Sequence, residues 1–244
     1  MKKLLYLVFV ILLIGILLIS SIFLYKEYAE KNKQEKLFEE IAEIVIVEQQ
    51  NAEENKEESI DIQKLYEQNN DTVGWVKIED TNIDYPVMQT KDRPNYYLRK
   101  NFYKEYSISG TPYISEQCDI ENSDNLIVYG HNIKGNKMFA DLEKYKKESF
   151  FKEHKTIKFY TINEFAEYEI IAVFKTNTDT GFKYYKYCNL KDEKEFETFI
   201  NKCIELSLYK TNVKAEYGDK FITLSTCEYS QNNGRLVVVA RKIL

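Results

Sequence analysis

The chain has 244 residues, of which 44% are hydrophobic, 30% charged and 14% aromatic. Enough apolar material is present for a core, and the scarcity of Gly (8) and Pro (3) excludes collagen-like and linker-like compositions. A formal net charge of −5, from 34 basic and 39 acidic side chains, argues against a surface built to neutralise phosphates, so no nucleic acid partner is expected.

Residues 4–24 carry no charge, a run of 21 residues. At about 1.5 Å per residue a helix of this length spans roughly 30 Å, the hydrocarbon thickness of a bilayer. Lys2 and Lys3 precede the run, and no small-residue cleavage site follows it. Residues 1–25 therefore read as an uncleaved transmembrane anchor, with the N-terminus cytoplasmic and the bulk of the chain outside. Lys26, Lys31, Lys33 and Lys36 on the far side reduce the charge asymmetry that supports this orientation. Residues 26–58 are charged and lack Pro and Gly, and read as a partly helical linker. Leu37, Phe38, Ile41, Ile44 and Val45 repeat at helical spacing and predict a helix packed on the domain that follows. Residues 51–58 read as a solvated link.

A β-rich domain is expected over residues 59–244. Ser59 is placed to cap a short helix whose Ile62, Leu65 and Tyr66 share a face. Strands are predicted over residues 72–78, 82–88, 111–115, 125–129, 157–161, 167–175, 221–226 and 235–243. Eight short runs separated by turn residues predict a mainly β fold, a closed or nearly closed barrel with peripheral helices. One helix presents Met138, Leu142, Tyr145 and Ser149. A second presents Phe196, Phe199, Ile200, Cys203, Ile204 and Leu208, with Asp192 and Glu195 as a capping box.

The four cysteines are Cys118, Cys188, Cys203 and Cys227; there is no C-x-x-C, and the histidines are His131 and His154. This spacing offers no structural zinc site. A disulfide scaffold is not expected of so large a domain, although a single bridge among Cys118, Cys188 and Cys203 stays open.

The C-terminal residues place candidate chemistry together. Two predicted strands flank the connection Glu228-Tyr-Ser-Gln-Asn-Asn-Gly234. If they pair as a hairpin, Cys227 faces Arg235 at its mouth, with Cβ atoms about 5 Å apart. The chain has only 4 Arg against 30 Lys, which singles out Arg235, with a solvated surface cation as the alternative. A thiol nucleophile needs a base or cation beside it. His131 follows an apolar strand and a Gly, at a strand end where catalytic groups are displayed. His154 lies among charges between a helix and a strand and reads as structural or solvated.

Thr223-Leu-Ser-Thr-Cys227, Tyr129-Gly-His131-Asn132 and Asn233-Gly-Arg235-Leu-Val-Val-Val-Ala resemble the Cys, His and Arg motifs of sortases, and their order along the chain is similar too. Val73-Gly-Trp75-Val-Lys-Ile and Ile83-Asp-Tyr-Pro86-Val look like that family's opening strands. The resemblance covers about residues 60–244. The helix expected between the sixth and seventh strands, together with helices ahead of the barrel, resembles class B. The absence of a C-terminal membrane segment disfavours class C.

The resemblance implies a cysteine transpeptidase acting on a C-terminal sorting motif, LPxTG- or NPxTN-like, of secreted surface proteins. Cys227 would form a thioacyl intermediate that an amine of peptidoglycan or its precursor resolves. His131 would shuttle the proton, and Arg235 would donate to the substrate carbonyl or oxyanion. The backbone N–H of Glu228 is a candidate second oxyanion donor, and Ser225 and Tyr129 match positions lining the substrate groove. No metal or organic cofactor is needed for this chemistry. Two other functions fit the same residues: a membrane-tethered peptidase that uses water, and a non-catalytic peptide-binding barrel.

Overall fold

The computed structural model describes residues 2–47, 59–135 and 137–243. The solvated link expected at residues 51–58 lies outside them. Eight strands are numbered here in chain order: β1 (Thr72–Lys77), β2 (Asp84–Met88), β3 (Tyr113–Ile114), β4 (Asn125–Tyr129), β5 (Thr156–Tyr160), β6 (Phe165–Asn177), β7 (Phe221–Glu228) and β8 (Gly234–Lys242). They close into a barrel in the order β6-β8-β7-β4-β3-β2-β1-β5, with β5 pairing back to β6. Each coincides with one of the eight predicted runs to within a few residues. Closure leaves no open sheet edge to seed pairing with another chain.

Most neighbours pair antiparallel, but β4 runs parallel to β7, and β2 parallel to β3. A parallel pair cannot be made by a hairpin, so the chain crosses over between its members. The crossover from β4 to β7 contains β5, β6 and two helices, α3 (Glu148–Glu153) and α4 (Glu193–Leu206). Helix α4 lies outside the barrel, against β6. Its Phe196, Phe199, Ile200 and Cys203 are buried. Leu236 to Ala240 are all buried, which explains their unbroken apolar run: both faces of this strand are covered.

Two helices precede the barrel, α1 (Lys2–Val45) and α2 (Ile62–Gln68). The first is continuous from the apolar stretch to the domain. Phe38, Ile41 and Val45, spaced at i, i+3 and i+7, are buried with Ile62, Leu65, Trp75, Met88, Tyr97 and Phe102 in a second apolar cluster. The Phe38 ring meets Tyr85 edge-on at 5.1 Å between centroids. The Gln34 amide donates to the Gly110 carbonyl at 3.3 Å. In contrast, Leu5 (77% exposed) and Ile19 (70%) show how bare the N-terminal half is. Among the described residues, α1 is the one helix long and apolar enough to cross a membrane.

Three local expectations are corrected. The cap of α2 is Asp61, whose carboxylate accepts from the Lys64 N–H, rather than Ser59; Ser59 instead pairs with Val47 in a two-stranded ribbon. The single helix expected around residues 138–149 is a 3-10 segment (Phe139–Lys146) followed by α3. Leu142 and Tyr145, at i and i+3, eclipse on one buried face there, while Ser149 falls in the next helix and is exposed. Ile204 and Leu208 are exposed, and Leu208 lies beyond the end of α4 at Leu206.

Ile41→Ala removes a fully buried side chain from the α1–barrel seam. It is expected to lower unfolding stability by about 2–4 kcal/mol, read as a drop in melting temperature of the detergent-solubilised chain. An unchanged melting temperature would mean that α1 does not dock.

Candidate active site

The register of three adjacent strands determines the site. In the parallel pair, Tyr129 of β4 lies opposite Ser225 of β7. Two residues further along each chain come His131 and Cys227. In the antiparallel pair on the other side, Cys227 lies opposite Arg235 of β8. Neighbouring strands are about 4.8 Å apart, so imidazole, thiol and guanidinium stand at one level across three strands. Period-two alternation sends them to the same face. All three are partly exposed, whereas the flanking Thr226, Glu228 and Leu236 are buried.

His131 lies beyond the end of β4, and side chains continue the pairing where the ladder stops. The Gly130 N–H donates to the Ser225 carbonyl at 3.1 Å, and Thr226 Oγ1 donates to the Gly130 carbonyl at 2.7 Å. The Asn132 side-chain amide donates to the Cys227 carbonyl at 2.9 Å. The Tyr229 hydroxyl donates to the Asn132 carbonyl at 3.0 Å. The His131 carbonyl accepts from the Phe139 N–H at 2.8 Å, closing a small ribbon of residues 132–133 and 137–138. Gly130 is required by space: a Cβ there would run into the ring of Phe139.

Tyr113, Tyr129, His131, Ser225, Cys227 and Arg235 line a small cavity of about 80 Å³, together with Leu98 and Thr111. His131 Nε2 donates to the Leu98 carbonyl at 2.9 Å, which places a proton on that nitrogen. Burial lowers the His131 pKa below the ordinary 6.5; the Leu98 hydrogen bond opposes this and the charge of Arg99 assists it. The environment thus favours the neutral imidazole. Arg235 folds one guanidinium N–H back to the Gly234 carbonyl at 2.8 Å. Ser225 is buried, its hydroxyl bonded to Tyr184 Oη, so it forms the floor of the cavity. Tyr129 stands over that floor, its ring 5.5 Å from Tyr113. A larger cavity of about 270 Å³ lies between α1 and the β1–β2 turn, and contains none of the three residues.

Glu228 has a part that sequence reasoning did not assign. Its carboxylate is buried, accepting from Lys146 Nζ at 2.6 Å and from Ser230 Oγ at 2.6 Å. Burial alone would raise its pKa; the Lys146 and Ser230 hydrogen bonds outweigh that and bring it down to about 2. The pair ties the β7–β8 turn, and so Cys227 and Arg235, to the 3-10 segment. Leu98, Asn132 and Tyr184 also escaped. Asn132 carried a signal as the neighbour of His131, whereas a backbone carbonyl acceptor such as that of Leu98 carries none. His154 lies away from the cavity; it stacks on Phe150 at 4.0 Å, and its Nδ1 hydrogen-bonds the Phe150 carbonyl.

The sortase domain family model matches residues 76–243, and the chain belongs to that family, whose members are cysteine transpeptidases. Within the family it is most similar to class B. It is 38% identical to Sortase B of Listeria monocytogenes over 193 residues, covering 78% of this chain and 76% of the relative. To Sortase B of Staphylococcus aureus it is 33% identical over 180 residues, covering 72% and 71%. Among solved structures, sortase B from Bacillus anthracis in complex with AAEK1 aligns with a TM-score of 0.75 at 32% identity, over 88% of this chain and 99% of that one.

Two measurements check the electrostatics. Because only two histidines are present, ring NMR resolves His131, and its titration midpoint is expected below 6.5. An unfolded chain takes up that proton first, so stability falls as pH drops below about 6.5. The Glu228 contribution has the usual carboxylate sign: it is present above 4.5 and lost as the pH falls through about 2. Glu228→Gln is expected to cost about 2 kcal/mol at pH 7, with most of that difference gone at the acid end of an unfolding series.

Proposed function

We propose that the chain is a membrane-anchored sortase that cleaves a C-terminal sorting motif, LPxTG- or NPxTN-like, and joins the acyl group to a cell-wall amine. The observation that carries this reading is the single level on which Cys227, His131 and Arg235 stand, around one cavity. The apolar half of α1 serves as the anchor over residues 4–24, and the barrel lies outside the cell.

Neutral His131 accepts the thiol proton of Cys227. The thiolate attacks the scissile carbonyl of the motif, and the carbonyl oxygen takes the negative charge. Arg235 turns from the Gly234 carbonyl to that oxygen, where its charge outweighs a neutral donor. The backbone N–H of Glu228 is the second candidate donor. Collapse expels the leaving amine, which takes its proton from the His131 imidazolium. Burial makes that imidazolium a stronger acid than one in water, since it favours the neutral ring. An incoming amine then attacks the thioacyl carbonyl, gives a proton to His131 and releases Cys227. Tyr129 and Ser225 shape the groove next to the scissile bond. No metal or organic cofactor enters these steps.

The test uses the detergent-solubilised full chain, sorting peptides of both motif types, and triglycine as amine. Mass spectrometry is expected to find the N-terminal fragment carrying triglycine. Cys227→Ala is expected to reduce turnover more than about a thousandfold, and Arg235→Ala about a hundredfold, with melting temperatures retained. Release of free acid at a rate that triglycine leaves unchanged would identify a water-using peptidase. Peptide binding without cleavage would identify a non-catalytic barrel.

A further inference from the structure

Cys118 and Cys188 take no part in the chemistry above. They are 70 residues apart in sequence, yet their sulfurs lie 2.9 Å apart in the core. Both are buried, at 1% and 3% exposure. Two sulfurs without a bond between them repel at this separation, which is inside their van der Waals contact. A bonded pair sits at about 2.05 Å, so less than about 1 Å of closure separates the two states. The backbones on either side are already held in place. The Gln89 amide donates to the carbonyls of Ser115 at 3.0 Å and Cys118 at 2.8 Å. The Asn125 N–H donates to the Cys188 carbonyl at 2.9 Å, and its side-chain amide to that of Tyr187 at 3.1 Å.

We propose that Cys118 and Cys188 form a disulfide in the mature protein, made by exchange with a disulfide-class oxidant outside the cell. One of the two thiolates attacks a sulfur of the oxidant and releases its first thiol. The other thiolate attacks the mixed disulfide and releases the second. The Cys118–Cys188 bond forms, the oxidant's disulfide breaks, and both protons end on the reduced oxidant. The thiols become inaccessible once the core closes, so oxidation accompanies folding, and the finished bond is shielded from reductant. All four cysteines are free thiols in the structure, and Cys227 stays so for catalysis.

The bond would brace the site. Cys188 follows the 3-10 turn Tyr184–Lys186, and Tyr184 supports Ser225 on the cavity floor. Cys118 abuts β4 through the Ile127 N–H, which donates to its sulfur at 3.5 Å. A cross-link there would bind the connection ahead of α4 to the β3–β4 connection, which leans on the strand that leads to His131.

The location outside the cell is needed only for the source of oxidant; the measurement is independent of it and of Cys227 chemistry. The full chain is folded in detergent with a reduced and oxidised glutathione mixture, denatured, and alkylated with and without prior reduction. Two alkyl groups are expected before reduction and all four cysteines after it. Digestion is expected to give one linked pair of peptides carrying Cys118 and Cys188, about 2 Da lighter than the two thiol forms together. Reduction in denaturant followed by refolding in reductant is also expected to lower the melting temperature by several degrees, since the bond closes a loop of 70 residues, and to leave a Cys118→Ala/Cys188→Ala variant unaffected. Four alkyl groups without reduction overturn the proposal. So does a linked pair containing Cys203 or Cys227.

Discussion

Residues 125–129 and 221–225 lie side by side and run in the same direction, although almost a hundred residues separate them. The whole site depends on that parallel ladder. It sets His131 level with Cys227, while the β7–β8 hairpin sets Arg235 level with Cys227 from the other side. A one-residue slip in either pairing would turn one of the three side chains to the opposite face of the sheet. Close packing holds these registers: Leu224 and Val237 are fully buried, and a slip would press side chains of the wrong shape into filled space on either face.

The ladder ends before the residues that matter, so a second set of interactions extends it. Thr226, Asn132 and Tyr229 make hydrogen bonds where backbone pairing has stopped. Glu228 and Lys146 add an ion pair from beneath. A buried carboxylate costs desolvation energy, and this one is offset by two close donors. The arrangement keeps a negative charge one residue from the thiol while tying it up with cations rather than leaving it to repel a thiolate. Lys175 stands a further 3.6 Å from the same carboxylate.

Much of this was legible in the amino acids. The barrel strands announce themselves by β-branched and aromatic runs between turn residues. The Cys227–Arg235 pairing follows from a hairpin whose turn contains Asn-Asn-Gly. Helix α4 shows its stripe from Phe196 to Cys203, but the periodicity continues to Leu208, past the end of the helix at Leu206. Other features were not legible. Ser59 and Asp61 are both good caps, and tertiary pairing of Ser59 with Val47 decided between them. The 3-10 geometry of residues 139–146 and the alpha geometry of a longer helix give similar apolar spacing over so few residues. Barrel closure through β5 and β6, and the acceptor that Leu98 offers His131, depend on contacts that no local pattern encodes.

Helix α1 leads from the charge-free stretch, which ends at residue 24, to its first buried contact with the barrel at Gln34 without a break. Ten residues of helix measure about 15 Å. With the apolar half in lipid, the catalytic domain would ride on a short rigid mast instead of a loose tether. Its cleft would sweep only a thin layer next to the bilayer. Any partner also confined to the membrane would meet the cleft within that layer, so encounter would be confined to two dimensions, and lateral diffusion rather than reach would set how often the two find each other.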